Sequence, residues 1–285
     1  MAWTSEFVVS TAWLAKHLVD PDLAILDGSW HLPPEKRDGA AEFGSGHIPG
    51  AQFFDIDRIA DASDGLPHML PTDEMFAATM AEMGIGNDTH VVVYDTKGLF
   101  SAPRVWWTLG VMGSNRVSVL NGGLPKWKAE GRPLEAGAVT RRPAKTFAVR
   151  RDPARIRDIT DVRGLLKSGT AQLVDARPAV RFTGEQPEPR PGLAQGHIPG
   201  ARNVPFDTLV NADGTLKSEA DLRAVMAAAG VDAARPVVAS CGSGVTASMV
   251  ALALTLLGNR DAAVYDGSWA EWGRDPANPV AKGLA

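Results

Sequence analysis

The 285-residue sequence has one cysteine, Cys241. A lone cysteine excludes an intramolecular disulfide, and with it the secreted folds that depend on one. It also leaves no internal resolving thiol, so whatever becomes attached to Cys241 must leave to an outside acceptor. Excess positive charge is missing too: a formal net charge of −4 gives no reason to expect nucleic acid or an anionic membrane as partner. The apolar run 249–257 is too short to span a bilayer. Residues 1–20 hold no basic segment followed by an apolar one, so no secretory leader is expected and a cytoplasmic location is. Six scattered histidines and one cysteine form no ligand-spaced cluster, so neither a metal nor another cofactor is expected. What remains, 45% hydrophobic and 22% charged residues over a length that accommodates two domains, describes a globular protein.

What the sequence does contain is concentrated in residues 235–258, RPVVASCGSGVTASMVALALTLLG. Val237, Val238 and Ala239 behind Pro236 suit a short buried strand, and the apolar stretch from Thr246 to Gly258 suits a buried helix with a glycine stop. Between them Cys241, Gly242, Ser243, Gly244, Val245 and Thr246 form a tight strand-to-helix turn headed by the cysteine. Two glycines let successive N–H groups converge on one point, and the helix adds its positive end. Such a turn favours the thiolate, the reactive form of cysteine. Cys241 is the candidate nucleophile, with the N–H groups of residues 242–246 as its cradle.

The landmarks around this turn occur twice. Leu173-Val174-Asp175 repeats Ile25-Leu26-Asp27, and GHIPGA stands at 46–51 and again at 196–201, a spacing of 150. The strand ending at Cys241 follows the one ending at Asp95 by 146 residues, and the segment 266–272 answers 121–127 at 145. A duplicated domain accounts for this order. Alternating short strands and helices predict an α/β fold of two tandem domains, each a mainly parallel sheet flanked by helices. The expected bounds are 1–135 and 147–285, with a linker over 136–146. Ligands of such sheets sit beyond the carboxyl ends of the strands, where Cys241 falls. Its first-half counterpart is Asp95, so that half offers no thiol. His47 and His197, like Asp27 and Asp175, occur in both copies and read as structural; the tryptophans read mostly as core or domain interface. Ser10 is the expected N-cap of a helix over 13–19, and further helices are expected over 73–83 and 102–109.

Through the paired GHIPGA, the thiol-free first loop, the cysteine-bearing second loop and the terminal Gly267-Ser268-Trp269-x-x-Trp272, the chain resembles the two-domain rhodanese family over nearly its whole length. Within that family the loop is similar to that of the 3-mercaptopyruvate sulfurtransferases. Thiosulfate-preferring members carry basic residues just after the cysteine, where this chain has Gly242 and Ser243. The resemblance implies two tandem rhodanese-like domains and an enzyme that takes sulfur from a small-molecule donor, 3-mercaptopyruvate, onto Cys241 as a persulfide. Pyruvate leaves, and the sulfur passes to an external thiol, such as thioredoxin or a small thiol, or to cyanide. It also implies that Arg181 and Arg190, within RFTGEQPEPR, hold the donor's carboxylate and ketone, a task suited to the planar guanidinium fork. Ser243 would then serve the leaving enolate, with Asp57 and His68 from the first domain assisting it. Asp55, two residues from Asp57, is expected to point the same way in an extended segment.

Three rivals remain at this level. One is a thiosulfate:cyanide sulfurtransferase, another a non-catalytic persulfide carrier. The third, a cysteine-dependent phosphatase, needs an arginine six positions after the cysteine, where this chain has Ala247.

Overall fold

The apolar runs of the sequence become the central strands of two five-stranded parallel sheets in a computed structural model that describes residues 5–139 and 141–284. Position 140 of the expected linker lies outside the described residues. The first sheet consists of β1 (Val8–Val9), β2 (Leu23–Asp27), β3 (Ala51–Phe53), β4 (His90–Tyr94) and β5 (Val117–Leu120), in the order β1-β5-β4-β2-β3. The second consists of β6 (Ile156–Arg157), β7 (Gln172–Asp175), β8 (Arg202–Asn203), β9 (Val237–Ser240) and β10 (Ala263–Tyr265), in the order β6-β10-β9-β7-β8. The two orders are the same, strand for strand. The central strands β4 and β9 are buried along almost their whole length without alternation, as parallel strands covered on both faces must be.

Local chemistry sets the helices around each sheet. Ser10 Oγ accepts the N–H of Trp13 at 3.1 Å and caps helix Thr11–His17, which starts two residues before the expected bound of 13. Thr72 caps helix Asp73–Glu82 in the same way, and Gly84 (φ +66°) turns the chain away from it. No helix among the described residues is long and apolar enough to cross a membrane.

The chain forms two compact units, and each draws on more than one stretch. The first takes the residues up to Asp61, Leu70–Asp152 and Val210–Leu216; the second takes Ala62–Met69, Pro153–Leu209 and the residues from Lys217 on. The first unit runs on to Asp152. The reason is bonding: Arg142 donates to the carbonyls of Leu23 and Pro21 at 2.6 and 2.9 Å, and the N–H groups of Arg150 and Asp152 donate to those of Met112 and Val111 at 3.0 and 2.8 Å.

The repeated motifs hold each unit together. His47 stacks on Phe43 and its Nδ1 bonds the Phe43 carbonyl at 2.8 Å; His197 does the same with Phe182 at 2.9 Å. Each histidine also exchanges two backbone hydrogen bonds with a later residue, His47 with Glu135 and His197 with Ala281. Trp127 and Trp272 are fully buried, and their indole N–H groups donate to Pro133 and Pro279 at 2.8 and 2.9 Å. Each such ring removes on the order of 200 Å² from water, about 5 kcal/mol against the unfolded chain.

The repeated aspartates differ. Asp175 is bound by Arg177 at 2.6 Å, but Asp27 has Ser29 where Arg177 would stand. Burial outweighs the Ser29 hydrogen bonds and pushes the Asp27 carboxyl up to about 6. With a folded value above the unfolded one, the wild type loses stability as pH rises from about 4 to about 6 and stays less stable above. Asp27→Asn should therefore stabilise the protein at pH 7–8 by up to about 3 kcal/mol, with the gain vanishing below about pH 4. Urea unfolding at several pH values reads this, and a variant less stable at pH 8 would show that the charge is needed.

Candidate active site

β4 and β9 both end in a turn leading into a buried helix. The first residue of the turn after β4 is Asp95. Its Oδ1 accepts from the N–H of Lys97 at 2.8 Å, and its Oδ2 from those of Phe100, Ser101 and Ala102 at 2.8, 2.9 and 2.8 Å. Helix Ala102–Val111 begins here, so its positive end faces the carboxylate. The turn is an anion cradle, and Asp95 fills it with its own side chain.

In the second unit Cys241 takes that place, buried at the end of β9 and ahead of helix Ala247–Leu256. The repeat sets Lys97, Phe100 and Ser101 against Ser243, Thr246 and Ala247. Among the described residues, none accepts a hydrogen bond from the N–H groups of these three. Gly244 (φ +76°) turns the chain back as Gly98 (φ +106°) does in the first unit. Behind it Ser248 Oγ donates to the Gly244 carbonyl at 3.0 Å, and Ser248 and Met249 N–H donate to Val245 and Thr246, so the turn runs directly into the helix.

Ser268, which sequence reasoning passed over as a site residue, anchors the turn. It opens the short helix Ser268–Trp272. Its Oγ accepts from the N–H groups of Cys241 and Gly244 at 3.2 and 3.1 Å and donates to the Tyr265 carbonyl at 2.7 Å. The next two N–H groups, of Trp269 and Ala270, donate to the Cys241 and Gly242 carbonyls, each at 2.9 Å. Ser268 has φ +49°, a left-handed conformation that residues with a Cβ rarely adopt; its counterpart Gly123 has φ +53°. A Cβ on Gly123 would stand 2.6 Å from the Asp95 carbonyl oxygen, so the first unit has no room for a serine there. The signal lay in the repeat: a serine faces a glycine at a turn.

Ser243 and His68 meet, Oγ to Nδ1 at 2.9 Å, and both are buried. His68 lies in the first half of the sequence, and residues 62–69, which carry it, pack as part of the second unit. His68 has φ +62°, and Arg274 steadies its strap by donating to the Asp64 carbonyl at 3.4 Å from both terminal nitrogens. Asp57 stands in the first unit, where its carboxylate accepts from Trp30 Nε1 at 3.1 and 3.2 Å. Asp55 does not run alongside it; its Oδ1 turns inward to accept from the N–H groups of Asp57 and Arg58 at 3.0 and 3.2 Å.

Arg181 abuts the turn: its Nη2 lies 3.1 Å from the point a Cβ on Gly242 would occupy. It is not a bare cation. Its Nε donates to Glu188 Oε1 at 3.2 Å and its Nη2 is paired with Glu188 Oε2. Glu188 Oε1 also accepts from Arg177 Nη1 at 2.8 Å, and Arg177 in turn grips Asp175 and lies over the Trp269 ring at 4.4 Å. Glu188 and Arg177 were missed as site residues, although Glu188 lies inside the quoted RFTGEQPEPR. Arg190 is half-buried in the same loop, two residues further on.

The turn can thus hold an anion grown from Cys241, beside a serine–histidine pair and a guanidinium. The Rhodanese-like domain family matches residues 10–130 and 158–275. The 3-mercaptopyruvate sulfurtransferase of Escherichia coli (strain K12) is 46% identical over 278 residues, covering 97% of this chain and 98% of that protein. The thiosulfate sulfurtransferase of Rattus norvegicus is 43% identical over 285 residues, covering 97% and 95%. Among solved structures, SseA from Escherichia coli, described with the rhodanese fold of 3-mercaptopyruvate sulfotransferases, matches with a TM-score of 0.85 at 44% identity, over 93% of this chain and 99% of its own. The order of strands, the paired turns and these likenesses agree: the chain belongs to the rhodanese-like domain family and carries that domain twice.

Proposed function

We propose that the protein is a sulfurtransferase that moves the sulfur of 3-mercaptopyruvate through a Cys241 persulfide to an external thiol and releases pyruvate. One observation carries this reading: the cradle that Asp95 fills in the first unit is headed by a thiol in the second. The outer sulfur of a persulfide lies two bonds beyond Cβ, as Asp95 Oδ2 does. At that distance it would meet the N–H groups of Thr246 and Ala247, the counterparts of those that bind Asp95.

In the first half-reaction the Cys241 thiolate attacks the donor sulfur. The S–S bond forms, the C–S bond breaks, and the electron pair leaves on the enolate of pyruvate. Ser243 delivers the proton that quenches the enolate, with His68 Nδ1 at 2.9 Å as its relay. Arg181 and Arg190 hold the carboxylate and ketone of the donor, and Asp57 has no step in this scheme. In the second half-reaction a thiol, small or on a protein such as thioredoxin, attacks the outer sulfur and frees the Cys241 thiolate. The kinetics are ping-pong. We place this chemistry in the cytoplasm, where lone cysteines stay reduced and thiol acceptors abound.

Thiosulfate is the second donor to weigh, given the 43% identity to the rat enzyme. The neutral Gly242 and Ser243 argue against it as the preferred one. Steady-state kinetics with both donors decide: kcat/KM should be higher for mercaptopyruvate, with pyruvate released, and a clear preference for thiosulfate would overturn the reading. Arg190→Gly should raise KM for mercaptopyruvate about tenfold or more while the melting temperature holds. Unchanged kinetics would remove Arg190 from the site.

A further inference from the structure

Four buried or nearly buried charges stand in a row against the catalytic turn: Asp175, Arg177, Glu188 and Arg181. Their side chains are 3%, 1%, 3% and 13% exposed, so solvent screens them little. Two carboxylates face two guanidiniums, and the row is neutral. Its inner end is rigid: Arg177 makes bonds of 2.6 Å to Asp175 and 2.8 Å to the Gly196 carbonyl, and it covers Trp269, whose N–H holds the Cys241 carbonyl. Its outer end is Arg181, against Gly242. Glu188 joins the two. It takes up Arg181 Nε and Nη2, and among the described residues none accepts a hydrogen bond from Nη1.

We propose that Glu188 is a positioning residue that sets donor selectivity. Resting on the reading of Arg181 as part of the donor site, it acts in two ways. It turns Arg181 so that Nη1 and the second N–H of Nη2, the nitrogen beside Gly242, are the donors left for substrate, which suits a carboxylate. It also cancels the charge of Arg181 at short range, so the site attracts a singly charged donor and gives little extra attraction to a doubly charged one. Thiosulfate carries that second charge and 3-mercaptopyruvate does not. A site with Glu188 in place therefore discriminates by charge as well as by the neutral residues after Cys241.

Glu188→Gln tests this, because the amide keeps the shape of the side chain and removes its charge. In the variant, kcat/KM for thiosulfate divided by kcat/KM for mercaptopyruvate should rise at least about tenfold over the wild-type ratio, mostly through KM for thiosulfate. Glu185→Gln, a neutralised exposed neighbour in the same loop, should leave the ratio where it was. An unchanged ratio in a folded Glu188→Gln protein, or an equal loss with both donors, overturns the proposal, since a merely structural residue affects both alike. If Glu188→Gln does not fold, the wild type decides: pyruvate should inhibit competitively at a concentration at least about tenfold below sulfate, and sulfate binding as well as pyruvate overturns the proposal. Failure of the underlying reading is visible separately, in a wild type that prefers thiosulfate.

Discussion

Cys241→Ser should lower turnover by about 10⁴-fold or more, and intact mass after donor treatment should find no added sulfur on the protein. The hydroxyl is a weak nucleophile toward sulfur at neutral pH, and the chain has no second thiol to substitute. The fold should survive the change. Position 241 is tied by its backbone, through Ser268 Oγ on the N–H and Trp269 N–H on the carbonyl, and serine keeps both bonds. Loss of activity with an unchanged melting curve therefore reports chemistry. Turnover comparable to the wild type's would mean that sulfur does not pass through Cys241, and both the transferase and carrier readings would fall.

Asp95→Ala should be the most destabilising of the substitutions considered, by about 4 kcal/mol or more in denaturant unfolding. The carboxylate satisfies four backbone N–H groups, and three of them belong to the buried Phe100, Ser101 and Ala102. Alanine strands all four at once, at about 1–3 kcal/mol for each buried donor left unpaired, offset in part by water. Asp95→Asn, which keeps an oxygen in the cradle, should cost less. The folded Asp95→Ala protein should still take up one sulfur at Cys241, which separates a stabilising role from a chemical one. A loss below about 1 kcal/mol would show that the first turn finds other partners for its N–H groups.

The repeat was legible in the sequence because its landmarks, GHIPGA above all, kept their spacing, and identical strand orders followed from it. Cys241 was legible because a strand, two glycines and a long apolar helix leave few other meanings. Three things were not. Ser268 contributes through a left-handed backbone that only the fold reveals, and only its pairing with Gly123 across the repeat hinted at it. Glu188 was not singled out, because burial between two arginines is a property of packing rather than of residue type. Asp55 looked extended, but Asp side chains readily close turns on the N–H two residues ahead, and this one does.

The stretches 62–69 and 210–216, which begin 148 residues apart, occupy like places in the two repeats, and each is assigned to the unit built mainly from the other half. A chain cut near residue 150 would yield a first piece without 210–216, and a second with Cys241, Ser243 and Arg181 but without His68. The second piece would keep the thiol but lose the imidazole that Ser243 Oγ meets at 2.9 Å, so a cut there divides a bonded pair.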